Sequence, residues 1–169
     1  RYISVTGVQT CALPISALFG LAWGAQRAGV VYVVVSCRLP PPEVAYIVED
    51  SGAKLLVSTQ ALAGIMDEVA KLAPAVPQLR LGGADAHDLA AALSAMPAHP
   101  VADERAGCDM LYSSGTTGKP KGVRVPLPEE PAIGGINALV QIAAGAFGMN
   151  GDSVYLSPAP LYHAAPLRW

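Results

Sequence analysis

Residues 30–35, VVYVVV, limit the possible folds more than any other stretch of this chain. The run is β-branched apart from Tyr32. Its odd and even positions are all apolar or aromatic, so neither face can be turned to water. A strand of that kind is buried on both sides, as in a parallel sheet covered by helices. The flanking pattern supplies the covers. Leu18, Leu21, Ala22, Ala25 and Ala28 make one helix face, ended by Gly29. Pro42 can open a second helix, with Val44, Ile47 and Val48 on its apolar side and Gly52 at its end. A short strand at 55–57 follows. Thr59 is expected to cap a helix carrying Leu62, Ile65, Met66, Val69 and Leu72, with Pro74 beyond it. A strand at 79–81 and a short helix capped by Asp85, with Leu89 and Leu93, come next. Strands at 110–112 and 154–156 bracket a helix over 133–147. This alternation predicts an α/β fold with a mostly parallel sheet flanked by helices. Ligands in such sheets sit beyond the carboxyl ends of the strands.

The strand at 110–112 runs into residues 112–122, YSSGTTGKPKG. Gly115 and Gly118 allow positive φ and a close backbone approach. Ser113, Ser114, Thr116 and Thr117 offer hydroxyls, and exposed N–H groups in such a turn form an anion-binding concavity. Lys119 and Lys121 add point charges suited to phosphate. The loop is not the phosphate loop of nucleoside triphosphatases. Counting back from Gly118-Lys119, the first glycine position holds Ser113, and Pro120 stands where a metal-binding Ser or Thr is needed. A plain polar surface turn is the alternative, but it leaves this density of hydroxyls, glycines and lysines without a purpose.

Residues 110–123, MLYSSGTTGKPKGV, resemble the phosphate-binding signature of the adenylate-forming superfamily. Those enzymes include acyl-CoA synthetases, luciferases and the adenylation domains of nonribosomal peptide synthetases. Residues 156–167, LSPAPLYHAAPL, resemble the next core motif of that family, and residues 44–57, VAYIVEDSGAKLLV, are a weaker third match. The resemblance covers residues 17–169, which are expected to be a partial N-terminal ATP- and acyl-binding domain without the C-terminal domain. Residues 5–15, VTGVQTCALPI, look instead like one reading frame of a short-read sequencing adapter. Residues 1–16 are therefore expected to be contaminating sequence with no part in the fold. A real strand and turn using Val5, Val8, Leu13 and Ile15 is the alternative.

The resemblance implies two half-reactions. A carboxylate attacks the α-phosphorus of ATP and releases pyrophosphate; a thiol, usually that of coenzyme A, then displaces AMP. It places residues 113–121 at the β- and γ-phosphates and His163 between those phosphates and the acyl carboxylate. Catalytic roles are expected for His163 and Thr116, and nucleotide contacts for Ser113, Ser114, Gly115, Thr116, Thr117, Gly118, Lys119 and Lys121. ATP, Mg²⁺ and coenzyme A are the implied cofactors and cosubstrates. Mg²⁺ and coenzyme A rest on the resemblance alone, and no residue of this chain is assigned as a metal ligand. Without the resemblance, His163 is better read as a loop histidine bonded to backbone. Tyr162 and Trp169 are candidates for either core or an acyl pocket, and His87 and His99 for surface positions.

Amino-acid-activating relatives place an aspartate near the second motif to pair with the substrate ammonium. Leaving that cation unpaired costs on the order of 3–5 kcal/mol. Residues 156–169 contain no Asp or Glu, which favours a non-amino carboxylic acid of the fatty or related acyl type. The runner-up readings are an adenylation domain of another class and a non-catalytic phosphate-binding module. Two stretches depart from the family. Arg124 to Pro128 replace a common Ser/Thr-His step, and the run from Val33 ends in Ser36-Cys37 where a Pro and a polar Asn or Thr are frequent.

Composition agrees with a soluble globular piece, and the resemblance implies a cytoplasmic enzyme. The chain of 169 residues is 52% hydrophobic and 14% charged, ample for a core, and its net charge of −2 provides no basic field for nucleic acid. Cys37 and Cys108 lack metal-ligand spacing and fit reduced thiols. Residues 131–151 are uncharged and long enough to span a bilayer. Asn137 and Gln141 on one helical face, with Gly134, Gly135, Gly145 and Gly148, favour instead a helix covered by protein. Ile133, Ile136, Val140, Ala143 and Phe147 would form its buried stripe. Nothing in the sequence bears on oligomeric state.

Overall fold

The computed structural model describes residues 4–9, 15–84, 87–113, 118–124, 126–127, 133, 138–157 and 159–168. The elements run β1 (Ser4–Gln9), α1 (Ile15–Arg27), β2 (Val31–Val35), α2 (Pro41–Asp50) and β3 (Leu55–Thr59). A 3₁₀ turn (Gln60–Leu62) leads to α3 (Ala63–Leu72), β4 (Gln78–Leu81) and α4 (Leu89–Ser94). Then follow β5 (Cys108–Tyr112), β6 (Gly122–Arg124), α5 (Ala138–Phe147) and α6 (Ala164–Arg168). One six-stranded sheet has the order β4-β3-β1-β2-β5-β6. Every pairing is parallel except β5 with β6. The expected α/β class with a mostly parallel sheet is what the chain forms.

All five residues of β2 are buried, and they alternate between two cores. Val33 and Val35 pack with Val44, Ile47 and Val48 of α2, Met66 and Val69 of α3, and Leu56 of β3. Tyr32 and Val34 point the other way, onto Leu18 and Ala22 of α1 and onto Leu161, Tyr162 and Leu167. Each fully buried aliphatic side chain contributes roughly 1.5–3 kcal/mol, so the two-sided burial of one strand holds both helical layers to the sheet. Gly29 and Gly52, with φ of 67° and 68°, end α1 and α2 as expected.

Several expectations need correction. Residues 4–9, expected to stand outside the fold, form β1 between β2 and β3. A ladder uses backbone groups that every residue carries, and the β-branched Val5, Thr6 and Val8 favour the extended chain. The register against both neighbours shifts between Thr6 and Val8. Thr59 ends β3 and makes no side-chain cap; its buried hydroxyl has no hydrogen-bond partner among the described residues. Asp88 caps α4 by accepting from Ala90 N at 2.8 Å, whereas the expected cap, Asp85, lies outside the described residues. Leu72 and Leu93 lie exposed, off the buried faces of their helices. Residues 154–156 form no strand, and Val154 and Leu156 are 99% and 82% exposed.

The helix expected over 133–147 begins at Ala138, and 134–137 lie outside the described residues. Only Ala143 of α5 is buried; Val140 and Phe147 are 57% and 72% exposed. Among the described residues α5 makes no extensive contact with another element, so the expected full cover is not seen there. No described helix is long and apolar enough to cross a membrane.

Tyr32 makes one prediction accessible. Its hydroxyl accepts from Gln26 Nε2 at 3.1 Å, and burial, reinforced by the Asp109 carboxylate, pushes the phenol up to about 12. The folded state therefore favours neutral tyrosine. That stability is intact below the unfolded value of about 10 and is lost as pH climbs through about 12, a loss on the order of 2–3 kcal/mol. Urea midpoints measured from neutral to strongly alkaline pH should fall more steeply for the native chain than for Tyr32→Phe. Parallel slopes would show that Tyr32 is not the group responsible.

Candidate active site

The chemistry-bearing loop joins the two arms of a hairpin. Met110, Leu111 and Tyr112 of β5 face Arg124, Val123 and Gly122 of β6. Ser113 N donates to Lys121 O at 3.0 Å, and Lys121 N donates to Ser113 Oγ at 3.2 Å. These two bonds close residues 113–121 into a loop whose ends are fixed. A nucleoside triphosphatase loop runs from strand to helix; here the chain turns back as β6, an element absent from the sequence-based reading.

Gly118 has φ 153°, and among the described residues no atom lies within 4 Å of where its Cβ would stand. Its positive φ is as expected of this glycine. Ser113, Lys119 and Lys121 are exposed. Ser114, Gly115, Thr116 and Thr117 lie outside the described residues.

His163 sits immediately before α6. Its backbone N donates to Pro160 O at 3.1 Å, and its carbonyl accepts from Leu167 N at 3.2 Å. The imidazole is exposed, with its centroid 4.4 Å from that of Tyr162. Arg168, at the other end of α6, grips Asp109 of β5 with both Nε and an Nη, the shortest contact being 2.6 Å. Paired forks of this geometry are directional. The ion pair ties the His163 turn to the strand that feeds the loop.

These parts meet in a cleft of about 600 Å³, lined by Ser113, Tyr112 and Pro120 from the loop arms and by Tyr162 and His163. That volume is typical of small-molecule sites. The cleft lies past the carboxyl ends of β2 and β5, where open α/β sheets bind ligands. Ser113 and His163, widely separated in sequence, thus share one cavity. Tyr162 lines the cleft and also packs against the core beside α1. Trp169 lies outside the described residues. His87 and His99 are exposed, each with Nδ1 against a backbone carbonyl.

Ser36, Arg38 and Glu43 also line the cleft; Arg38 and Glu43 were not singled out from sequence, and Ser36 only as a departure from the family pattern. The available signal was positional: they follow the carboxyl end of β2. Burial and the Asp109 charge raise the Cys108 thiol above its usual range, which keeps it protonated near neutral pH and poorly nucleophilic.

The AMP-binding enzyme model matches residues 10–169. The chain belongs to the AMP-binding enzyme family. A long-chain-fatty-acid–CoA ligase from Mycobacterium tuberculosis is 35% identical over 155 residues, covering 87% of this chain and 28% of that protein. A 4-hydroxybenzoate–CoA/benzoate–CoA ligase from Rhodopseudomonas palustris is 33% identical over 155 residues, covering 85% of this chain and 27% of that protein. Among solved structures, the inhibitor-bound N-terminal domain of FACL13 from Mycobacterium tuberculosis superposes with a TM-score of 0.67 at 28% identity. It covers 99% of this chain and 40% of that one. A Brucella canis acyl-CoA synthetase gives 0.69 at 26% identity, covering 99% of this chain and 30% of that one. The chain therefore spans less than a third of the length of these two curated relatives.

Proposed function

We propose that this chain is part of an acid–thiol ligase that activates a non-amino carboxylic acid with ATP and passes the acyl group to coenzyme A. The observation that carries the reading is the cleft shared by Ser113, at the mouth of the phosphate loop, and His163. Residues 17–169 would be a partial N-terminal ATP- and acyl-binding domain. Residues 1–16 would be contaminating sequence filling a strand position, a reading supported by the adapter-like run at residues 5–15.

In the first half-reaction a carboxylate oxygen bonds to the α-phosphorus while the bond to the bridging β-phosphate oxygen breaks. Charge grows on the leaving pyrophosphate, so donors fixed beside it lower the barrier. Thr116 and Thr117 would donate hydroxyls there, Ser113 and Ser114 would line the rim, and Gly115 and Gly118 would let the backbone approach. Lys119 and Lys121 would supply charge. His163, exposed to the cleft, would orient the acid, and backbone bonds on either side of it fix its main chain at the start of α6. In the second half-reaction a thiol sulfur bonds to the acyl carbon as the bond to AMP breaks. Mg²⁺ would shield the polyphosphate; no described residue is assigned to hold it or coenzyme A.

The names of the relatives support acid–CoA ligation and span fatty and aromatic acids. A second reading is favoured by one relative, a linear gramicidin synthase chain from Brevibacillus parabrevis, 36% identical over 103 residues, covering 61% of this chain and 1% of that protein. The absence of Asp and Glu from 156–169 argues against an amino-acid substrate. ATP–pyrophosphate exchange with a panel of fatty, aromatic and amino acids separates these readings. The full-length gene product is expected to exchange label with a fatty or aromatic acid. Exchange driven only by amino acids would overturn the substrate class. The 169-residue chain alone is expected to give no acid-dependent exchange above a no-protein control.

A further inference from the structure

The outer face of α2 has contacts that the proposed chemistry does not use. Tyr46 and Asp50 are four residues apart and so share one side of the helix. Tyr112 OH, at the last residue before the loop, donates to Asp50 Oδ2 at 2.7 Å. Tyr46 OH faces Pro120 O at 3.2 Å, near the end of the loop, and Asp50 Oδ1 at 3.3 Å. Its single proton can serve either acceptor. Lys119 Nζ lies 4.8 Å from the centroid of the Tyr46 ring. One helix face thus touches both arms of the loop and one of its two cations.

We infer that Tyr46 and Asp50 form a docking post for the phosphate loop, which seats both arms and parks the Lys119 ammonium on the Tyr46 ring until a polyphosphate draws it off. This rests on the reading of residues 113–121 as a phosphate site. An exposed cation–π contact is a weak hold, whereas an ammonium beside a multiply charged phosphate makes stronger, charge-assisted bonds. The long lysine stem lets the charge move while Pro120 stays tied to Tyr46. Tyr46 and Asp50 are positioning residues: they touch the loop and not the reacting atoms. The post also holds the exposed Lys119 ammonium over an aromatic ring instead of on a carboxylate, where an ion pair would compete with the incoming phosphate.

The chain has four lysines, Lys54, Lys71, Lys119 and Lys121, so the ε-CH₂ signals of ¹³C-lysine-labelled protein are few, and Lys119→Arg assigns the relevant one. The Lys119 signal is expected upfield of the others because it lies over an aromatic ring. Sodium pyrophosphate should return it toward the Lys54 and Lys71 positions, while sodium chloride of equal ionic strength should not. Tyr46→Leu should abolish the upfield shift and Tyr46→Phe should keep it. The phenylalanine variant and the titration of native protein carry the test if the leucine variant does not fold. A Lys119 signal with no upfield shift would overturn the proposal. So would loop amides that respond to pyrophosphate while Lys119 stays on the ring, and in that case the phosphate-site reading survives. Loop amides that ignore pyrophosphate altogether would remove the phosphate-site reading and the post with it.

Discussion

Thr116→Val, made in the full-length ligase proposed here, is expected to slow formation of the acyl-adenylate by about 10²- to 10³-fold, the usual effect of losing one preorganised donor to developing charge. Thioester formation from supplied acyl-adenylate should be much less affected, because pyrophosphate leaves only in the first step. Valine has nearly the shape of threonine and lacks only the hydroxyl, so packing changes little. Lys121→Ala should show the same bias with a smaller effect if Lys119, drawn off Tyr46, can substitute for its charge. Single-turnover measurement of each half-reaction separates the outcomes. Equal slowing of both would mean that the residue supports the fold or the acyl site, and the loop would lose its assignment to the leaving group.

Gly107→Ala should be the most damaging single methyl added to this fold. Gly107 N donates to Gln26 O at 2.6 Å where the chain enters β5. A Cβ at that position would run into the Val30 carbonyl oxygen and stand 2.7 Å from Val30 N. Both obstacles are backbone in the packed junction of α1 and β2, so no rotamer change relieves them. Overpacking of this kind costs roughly 1–3 kcal/mol, occasionally more. Gly64→Ala in α3 is the control: no atom lies within 4 Å of its Cβ position, and alanine in a helix should stabilise by up to about 1 kcal/mol. Urea unfolding of the two variants should move in opposite directions. A Gly107→Ala midpoint equal to the native one would mean that the strand sits farther from α1 than described. Since β5 carries Asp109 and leads directly into Ser113, its displacement would also pull the Arg168 anchor and the loop mouth out of line.

Local pattern was enough to establish much of this protein. An unbroken apolar run at 30–35 can only be buried on both faces, and the sheet, its parallel sense and the helices at α1, α2 and α3 follow from that one requirement and from glycines at 29 and 52. The density of hydroxyls, glycines and lysines at 113–121 pointed to phosphate chemistry independently of where the loop sits. The motif around His163 was visible only through its resemblance to the family, since by itself the residue reads as a loop histidine. Other features were invisible because they depend on neighbours distant in sequence. Whether α5 and residues 154–156 are covered is decided by what packs on them, and apolar content alone pointed the wrong way. Whether residues 4–9 join the sheet is decided by the slot between β2 and β3, which any extended backbone can fill. β6 was missed because three residues have no period to read, and its partner strand defines it. The cleft itself exists only because a parallel sheet brings the carboxyl ends of β2 and β5 side by side. That arrangement brings Ser113 and His163 to one cleft, and Tyr46 and Asp50 against both arms of the loop, across separations that no sequence window spans.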